Sequence, residues 1–407
     1  MNMAERSASV QACKWADVVV LNAPYNTEIT WIDRFGCYYV VHGNLAWITS
    51  IFCAEILGDD VSTDADGLDT YRFVKQAGRF KECARTRGIS TTDLIDRMLH
   101  PLAHQHLWET DDKRWKDPEM IDLLKSYSSD KTGHKPCTHI LNYSDGRIET
   151  MLYGQTNLDC PVVYVDGSWD LFTAGHVGFL HALSDQYNGQ VAILVGVHDD
   201  KVLQSHKTPV MNYLERVLMI LACCYPAAVL LHPPKDITEQ FLLHTLPSQW
   251  RPSFVYSSPC DPWLESNRYD DARRLGMYRE IKEYNLQSVT TDSIVWRIHA
   301  RRDEYAARQA RRIATSFPLA HNLQPLSQKS HIRTRSPVWI VANLTPKGKL
   351  GRRLFPRTDK CRRNLKRHTD ECGIKACPIC SQNAVDILKH IRKRRNIYST
   401  ITHTNQV

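Results

Sequence analysis

The chain has 407 residues, of which 43% are hydrophobic and 24% are charged. This length predicts two or three domains, and the hydrophobic fraction excludes a wholly disordered protein. The formal net charge of +8 is concentrated near the C-terminus, where residues 329 to 395 hold 19 lysines or arginines and only 4 acidic residues. The rest of the chain has the mildly acidic balance of an ordinary soluble enzyme, so a basic surface is predicted only for the tail.

Cysteine usage and apolar segments predict the compartment. The 13 cysteines are odd in number and have no regular spacing, which is typical of reduced thiols in a cytosolic protein. The N-terminus has no apolar segment behind a basic start, so no signal peptide is predicted. The longest apolar stretch, residues 45 to 58, contains Glu55 and is too short to span a bilayer. We therefore expect a soluble, cytoplasmic protein without a transmembrane segment.

Two stretches of the sequence occur twice, in the same order. Residues 10 to 30 and 219 to 241 both run through Ala-Cys, an apolar strand, a Pro-containing turn and Ile-Thr. Residues 71 to 99 and 269 to 298 both enter a helix through Thr-Thr-Asp. The near-continuous apolar runs in both copies fit parallel strands that are buried on both faces. The sequence therefore predicts two copies of one doubly wound, Rossmann-like α/β unit.

The two copies are unequal in what precedes the shared segments. About 60 residues come before the repeat in the second copy, but only about ten come before it in the first. Within this sequence, the first copy is thus predicted to lack its first strand, a histidine turn and its second strand. The predicted organisation is an incomplete first domain at 1–110, a linker at 111–160, a second domain at 161–315, a basic linker at 316–360 and a candidate zinc-binding arm at 361–395.

Residues 164 to 183 predict a buried strand, a tight turn and the start of a helix. Such a turn directs backbone N–H groups and the positive end of the helix toward a ligand, which favours a phosphate. Gly175 permits close approach of the backbone. His176 is placed to donate to a phosphate oxygen and, when protonated, to offset negative charge. The alternative is a capping and packing turn whose histidine makes its hydrogen bonds within the protein.

A second candidate phosphate site precedes a predicted helix near the end of the first copy. Ser90, Thr91 and Thr92 come just before this helix, and Asp93 lies in its first turn, which is typical of capping residues. Arg85 beside them would extend the set of donors available to phosphates. The alternative is a capping segment with an incidental arginine.

Three motifs together resemble the nucleotidyltransferases with a His-x-Gly-His sequence. They are Y-V-D-G-x-x-D-L-F-x-x-G-H at 164–176, P-V-M-N followed by E-R at 209–216, and R-T-x-G-I-S-T-T at 85–92. Their order and tandem arrangement, over roughly residues 8 to 310, resemble the ethanolamine-phosphate cytidylyltransferase family. The resemblance implies two tandem nucleotidyltransferase folds. It also implies transfer of CMP from CTP to phosphoethanolamine, which gives CDP-ethanolamine and pyrophosphate during phosphatidylethanolamine biosynthesis.

The resemblance also implies which residues contact the substrates, with Mg²⁺ accompanying the triphosphate of CTP. The implied catalytic residues are His176 and Thr173. The CTP-binding residues implied in the second copy are Val165, Asp166, Gly175, His176, Lys207, Ser288, Val289, Thr290, Thr291 and Asp292. Those implied in the first copy are His42, Gly43, Arg85, Thr86, Gly88, Ser90, Thr91 and Thr92.

The sequence departs from the family pattern at several of these positions. Thr173 stands where the family has its first histidine, and threonine carries no charge near neutral pH. Ser257 and Ser258 replace a His-Gly pair after a later strand, and the second copy lacks the Arg-Thr-x-Gly portion before Ser288. Neither copy has the whole set. The alternative to an enzyme is therefore a catalytically inactive, cytidylyltransferase-like binding or regulatory protein.

The tail carries a candidate metal site. Its four ligands have a spacing suited to tetrahedral Zn²⁺, and they are His368, Cys372, Cys377 and Cys380, with Cys361 and His390 as substitutes. The segment resembles one arm of a TAZ-type zinc finger, and the alternative is a set of unliganded cysteines in a disordered tail. The flanking basic runs are candidates for binding an acidic protein or nucleic acid, and a solvated basic tail is the commoner alternative.

Overall fold

The computed structural model describes residues 1–44, 63–64, 66–84, 91–101, 103–104, 115, 117–155, 159–204, 208–258, 266–307 and 339–341. The chain divides into two compact units, Met1–Gly348 and Lys349–Val407, and all described residues belong to the first. Within these ranges, no helix combines the length and apolarity needed to cross a membrane. The predictions that lie outside the described residues are the 45–58 insert, the zinc set, the basic tail, Lys207, Arg85, Thr86, Gly88 and Ser90.

The first copy forms short elements. In chain order they are α1 (Met3–Gln11), β1 (Val18–Val20), α2 (Ile29–Arg34), β2 (Val40–Asn44), α3 (Arg72–Gln76), β3 (Phe80–Ala84) and α4 (Thr91–Leu99). Strands β2 and β3 are parallel, whereas β1 pairs antiparallel with residues 339–341. A small core of Ile32, Val40 and Val74 packs between these elements.

The second copy is built on a seven-stranded sheet. Its elements in chain order are α5 (Pro118–Ser128), β4 (His139–Ser144), β5 (Arg147–Leu152), β6 (Val162–Gly167), α6 (Ala174–Gln186), β7 (Ala192–Val197), α7 (Asp200–Gln204), α8 (Tyr213–Ala222), β8 (Pro226–Leu231), β9 (Phe254–Ser257), α9 (Asp270–Arg274), β10 (Tyr278–Arg279) and α10 (Thr291–His299), and β11 (Trp339–Val341) follows. The strand order is β10-β9-β6-β7-β8-β4-β5. All neighbouring strands are parallel except β4 and β5, which confirms the predicted α/β class.

The central strands are covered on both faces. Val163 and Val165 of β6 pack into a core with α6 and α8. Val162 and Tyr164, which alternate with them, pack into a second core on the other face, together with Trp250. Strands buried in this way need apolar side chains at nearly every position, which explains the continuous apolar runs in the sequence.

The segment predicted to be a linker, residues 111–160, contributes regular structure to the second copy. Strand β4 pairs parallel with β8, and β5 pairs antiparallel with β4 at the sheet edge. The turn between them has positive φ at Asp145 (52°) and Gly146 (75°). Asp-Gly between two apolar runs is a strong hairpin signal, and the sequence analysis passed over it. The predicted domain boundaries stay a prediction, but the sheet extends into this segment.

The two copies contact each other through equivalent segments. Cys13 and Cys223 occupy the same place in the repeat, and they face each other as an isolated antiparallel pair. The residue after each cysteine donates its N–H to the carbonyl before the other cysteine, at 3.0 and 2.8 Å. The contact is therefore reciprocal, as expected for two units related by local two-fold symmetry.

Two ion pairs repeat this symmetry. Helices α1 and α8 both begin with M-N-x-x-E-R and both form a capping box between the asparagine and the glutamate. Glu5 of α1 binds Arg297 of α10 at 2.8 Å, and Glu215 of α8 binds Arg97 of α4 at 2.6 Å. Each arginine is the seventh residue of its helix. Each glutamate thus joins its own copy to the other one.

Candidate functional site

The strand order locates the crevice in which a ligand of this fold binds. From β6, the chain proceeds through β7 and β8 on one side of the sheet and then through β9 and β10 on the other. In open α/β sheets, ligands bind outside the carboxyl ends of the strands at such a switch point. The carboxyl end of β6 leads directly into the histidine turn, residues 168–173, and then into α6.

The histidine turn has an uncommon backbone conformation. Trp169, Leu171 and Phe172 have φ values of 57°, 57° and 35°, a region that costs non-glycine residues about 1–3 kcal/mol each. The buried indole of Trp169 donates to the carbonyl of Gly196 in β7 at 2.8 Å. Surrounding contacts therefore hold the strained turn in place, and strain of this kind clusters at ligand sites.

Asp170 ties the histidine turn to two other segments. Its carboxylate accepts the N–H groups of Val210 and Met211, both at 2.9 Å, and these residues precede α8. The backbone carbonyl of Asp170 accepts the hydroxyl of Thr291 at 2.8 Å, at the start of α10. The turn, the segment before α8 and the start of α10 are thereby held together.

His176 is oriented by the residue that caps its helix. The backbone N–H of Thr173 donates to Nδ1 of His176 at 2.9 Å, and a backbone N–H can only donate. Nδ1 is therefore an acceptor, the ring is neutral, and its proton lies on Nε2. The sequence analysis expected His176 to offset charge when protonated. The geometry instead favours a neutral ring that donates a hydrogen bond.

Thr173 joins the start of α6 to the segment before α10. Its hydroxyl donates to the carbonyl of Val289 at 2.6 Å, and the side chain is buried. Gly175 approaches the same segment so closely that a Cβ there would lie 2.5 Å from the carbonyl oxygen of Val289. The sequence analysis expected Gly175 to permit a close backbone approach, and the structure shows that the approaching group is Val289.

We expect Gly175→Ala to lower the free energy of unfolding by about 1–3 kcal/mol, because overpacking displaces α10 from α6. Urea denaturation of both proteins measures this difference. Gly189→Ala offers a contrast, because no atom lies within 4 Å of its added Cβ and any loss there comes from its positive φ of 73°. If CTP binding weakens only in Gly175→Ala, the α6–α10 contact shapes the site. Equal CTP affinity in all three proteins would contradict that role.

Asp166 is the centre of a buried polar cluster. Its carboxylate accepts hydrogen bonds from Tyr164 at 3.0 Å and from Nη2 of Arg268 at 2.6 Å. It also accepts the Tyr269 hydroxyl and lies 3.2 Å from Nε2 of His198. Burial alone would raise the pKa of Asp166, but Arg268 and the hydrogen bonds hold it well below its usual value. Asp166 is therefore ionised and paired at neutral pH.

Arg216 connects the carboxyl ends of β6 and β7. It is fully buried, and it donates to the carbonyls of Ser168 and His198 at 2.6 and 2.8 Å. It also binds Asp200 at 2.6 Å. One side chain thereby fixes the start of the histidine turn relative to the segment that follows β7.

Asp199 follows β7 at the same edge of the sheet and lies 3.5 Å from His232. Burial acts to raise the pKa of Asp199, but hydrogen bonds from His232 and from the N–H of Val202 outweigh it and lower the pKa from 3.8 to about 2. Because the pKa is depressed on folding, this carboxylate contributes stability above its unfolded pKa and loses it as pH falls toward its folded pKa.

We expect Asp199→Asn to cost about 2 kcal/mol of unfolding free energy at pH 6 and about half of that at pH 3. Urea denaturation of wild type and variant at both pH values measures the difference. Asp122→Asn is the control, because the Asp122 side chain is exposed and only distantly paired with Lys125. A difference between wild type and Asp199→Asn that stays constant from pH 6 to pH 3 would contradict the assignment.

Several residues that the sequence analysis predicted for the second copy come together at this edge. Thr173, Gly175 and Val289 are in contact, and Thr291 bonds to the histidine turn. Thr290 caps α10 by accepting the N–H of Ser293 at 3.2 Å. The remaining predicted side chains differ in setting: that of Val165 is buried in the core, and those of Ser288 and Asp292 are exposed.

The predicted residues of the first copy lie on separate elements. His42 and Gly43 belong to β2, and the His42 ring packs against Tyr71 with centroids 5.1 Å apart. Thr91 and Thr92 form the first turn of α4, a helix that packs against α10. Their role in binding CTP stays a prediction.

Three acidic residues at this edge of the sheet are already engaged by other groups of the protein. Asp166 is occupied by Arg268 and two tyrosines, Asp170 accepts two backbone N–H groups, and Asp200 is paired with Arg216. Within the described residues, no three His, Cys, Asp or Glu side chains are arranged to hold a metal ion.

Other residues of the site were missed by the sequence analysis. Arg216 stands in the P-V-M-N…E-R motif, so its position was visible in the sequence but its role was not. Arg268, Tyr269 and His198 had no motif to mark them. The repeat does distinguish Arg268. When Tyr71 is aligned with Tyr269, Arg268 stands where the first copy has Thr70.

Comparisons with known proteins agree with this geometry. A family model described as "Cytidylyltransferase-like" matches residues 164–345, which include the histidine turn. The chain is 33% identical to the ethanolamine-phosphate cytidylyltransferase of Mus musculus, over 76% of this chain and 76% of the relative. It is 32% identical to that of Dictyostelium discoideum, over 77% and 81%.

A third relative matches a smaller part of this chain. The probable ethanolamine-phosphate cytidylyltransferase of Schizosaccharomyces pombe is 37% identical over 58% of this chain. The match spans 60% of the length of that relative. The two longer matches, together with the tandem motifs and the parallel sheet, establish that the chain belongs to the ethanolamine-phosphate cytidylyltransferase family.

Proposed function

We propose that this chain transfers CMP from CTP to phosphoethanolamine, giving CDP-ethanolamine and pyrophosphate in phosphatidylethanolamine biosynthesis. The observation that carries the proposal is the histidine turn, which directs the start of α6 and His176 to the switch point of the sheet. The names of the relatives support the choice of the two substrates. The site is proposed to lie in the second copy, where the described residues assemble around this turn.

The proposed chemistry is an in-line displacement. A phosphate oxygen of phosphoethanolamine attacks the α-phosphorus of CTP, the new P–O bond forms, and the bond to pyrophosphate breaks. The protein's part is to position both substrates and to stabilise charge on the phosphate oxygens. His176 would donate from Nε2, and the N-terminus of α6 would offer backbone N–H groups and its positive dipole end. Thr173 contributes by fixing the ring of His176.

Further expectations from the sequence accompany this proposal. Mg²⁺ is proposed to arrive with the triphosphate, whose charge it would neutralise. We also propose four features that are independent of the reaction. They are Zn²⁺ binding by His368, Cys372, Cys377 and Cys380, a partner for the basic tail, a cytoplasmic location and the predicted domain limits. Metal analysis of the purified full chain tests the zinc proposal.

The test of the function is product formation by the full chain. Purified protein is incubated with CTP, Mg²⁺ and labelled phosphoethanolamine, and in parallel with labelled phosphocholine. We expect CDP-ethanolamine and pyrophosphate in equal amounts, with much slower use of phosphocholine. A folded chain that binds CTP but forms neither product would contradict the proposal and favour the inactive binding protein.

A further inference from the structure

We infer that Arg268 binds a phosphoryl group of the substrates and supplies the positive charge that Thr173 does not bring to the second copy. Only the identity of the two phosphate compounds, CTP and phosphoethanolamine, rests on the proposed function. The chemistry that it requires is a phosphate or phosphate ester within reach of a buried guanidinium group.

Two nitrogen atoms of the Arg268 guanidinium group have no hydrogen-bond acceptor among the described residues. Its side chain is 2% exposed, and Nη2 alone serves both Asp166 at 2.6 Å and His198 at 2.8 Å. Nε and Nη1 are buried, and neither has a hydrogen-bond partner among the described residues. A charged N–H that is buried without an acceptor destabilises the folded state. A ligand oxygen would remove that destabilisation.

Among the described residues, the cluster around Arg268 gives these two donors no hydrogen-bond acceptor. Asp166 is the nearest carboxylate, and its oxygens already accept Tyr164, Tyr269 and Nη2 of Arg268. Nδ1 of His198 is also buried and without a hydrogen-bond partner in the part of the chain described. The cluster thus holds more donors than acceptors, which favours an anion as its missing component.

The first copy provides an internal comparison. The repeat places Thr70 where the second copy has Arg268, since Tyr71 and Tyr269 follow them. The backbones match as well: the carbonyl of Thr70 accepts the N–H of Thr27 at 3.0 Å, and that of Arg268 accepts the N–H of Ile237 at 2.9 Å. The backbone position therefore needs no arginine, and the charge is a feature of the second copy alone.

The location suits a phosphoryl ligand. Asp166, to which Arg268 is bound, lies near the carboxyl end of β6 at the switch point of the sheet. His176, which starts α6 beyond the same strand, is a neutral donor, and Thr173 carries no charge. A guanidinium group is always ionised and forms strong, charge-assisted bonds to phosphate. Arg268 would therefore provide the permanent positive charge at this site.

The experiment compares wild type with Arg268→Gln and Arg268→Lys, with Arg251→Gln as the control for an exposed arginine. Calorimetric titrations with CTP and with inorganic phosphate, and the KM values for CTP and phosphoethanolamine, are measured for each. We expect Arg268→Gln to weaken phosphate binding about 10- to 100-fold, Arg268→Lys to retain part of it, and Arg251→Gln to match wild type. A rise in Kd for CTP assigns the contact to the nucleotide, and a rise only in KM for phosphoethanolamine assigns it to the acceptor.

Unchanged CTP and phosphate affinity and unchanged KM values in Arg268→Gln would overturn the inference. Thermal melting with and without phosphate distinguishes loss of binding from loss of folding. Phosphate should raise the melting temperature of wild type and should raise that of Arg268→Gln much less. If Arg268→Gln has a lower melting temperature but phosphate raises that temperature as much as in wild type, Arg268 is only structural. A wild-type chain that binds phosphate through Arg268 but forms no CDP-ethanolamine would refute the proposed function and leave this inference standing.

Discussion

Arg216→Met is expected to lower the free energy of unfolding by about 3–5 kcal/mol, because it leaves a buried carboxylate without its partner. Burial already raises the pKa of Asp200 above its usual value, even with Arg216 beside it. The substitution also leaves the carbonyls of Ser168 and His198 without the donors that Arg216 supplies. Methionine keeps most of the apolar stem of the side chain and carries no charge, so the loss reports mainly the removed guanidinium contacts.

Urea denaturation of wild type and variant measures this loss. Arg251→Met, at an exposed position, is the matched control and should change stability by less than about 0.5 kcal/mol. Arg216→Met combined with Asp200→Asn should recover part of the loss, because the double variant buries no unpaired charge. A loss below about 1 kcal/mol in Arg216→Met alone would mean that Arg216 does not hold the ends of β6 and β7 together.

His176→Ala is expected to lower kcat for CDP-ethanolamine formation by about 10²–10³-fold, the usual cost of removing one donor aimed at developing charge. Because Nδ1 of His176 accepts the N–H of Thr173, a hydrogen bond from the ring to a phosphate would come from Nε2. His176→Gln places an amide N–H near the position of Nε2 and should retain more activity than His176→Asn, whose amide lies near Nδ1.

The control for His176 lies on the same helix. His181 is 54% exposed and pairs with Asp185 one turn further along α6, so His181→Ala should leave kcat within about twofold of wild type. Circular dichroism and melting curves establish that all four variants are folded. Equal activity of His176→Gln, His176→Asn and His176→Ala would contradict donation from Nε2.

The sequence was sufficient to predict the elements whose patterns are strong. The apolar run at 191–197 became β7, and the strand, turn and helix start predicted at 164–183 became β6, the histidine turn and α6. The β4–β5 hairpin was missed although its Asp-Gly turn was visible. The M-N-x-x-E-R sequence at Met1 was missed as well, and it would have aligned α1 with α8 and predicted the reciprocal contact between the copies.

Other features of the site could not be predicted from local pattern. The left-handed conformations of Trp169 and Leu171 involve no glycine, and tertiary contacts such as the indole bond to Gly196 support them. The cluster around Asp166 joins residues about 100 positions apart in the chain, so no spacing rule reveals it. The tautomer of His176 depends on one backbone hydrogen bond, which appears only when α6 is capped in three dimensions.

The central claim is that the histidine turn of the second copy holds the nucleotide. The measurement that tests it most directly is a calorimetric titration of the full chain with CTP and Mg²⁺, repeated on His176→Ala and on His181→Ala. We predict that wild type and His181→Ala bind CTP with the same affinity and that His176→Ala binds it at least tenfold more weakly while remaining folded. CTP affinity that is equal in all three proteins would show that the nucleotide is held elsewhere and would contradict the account.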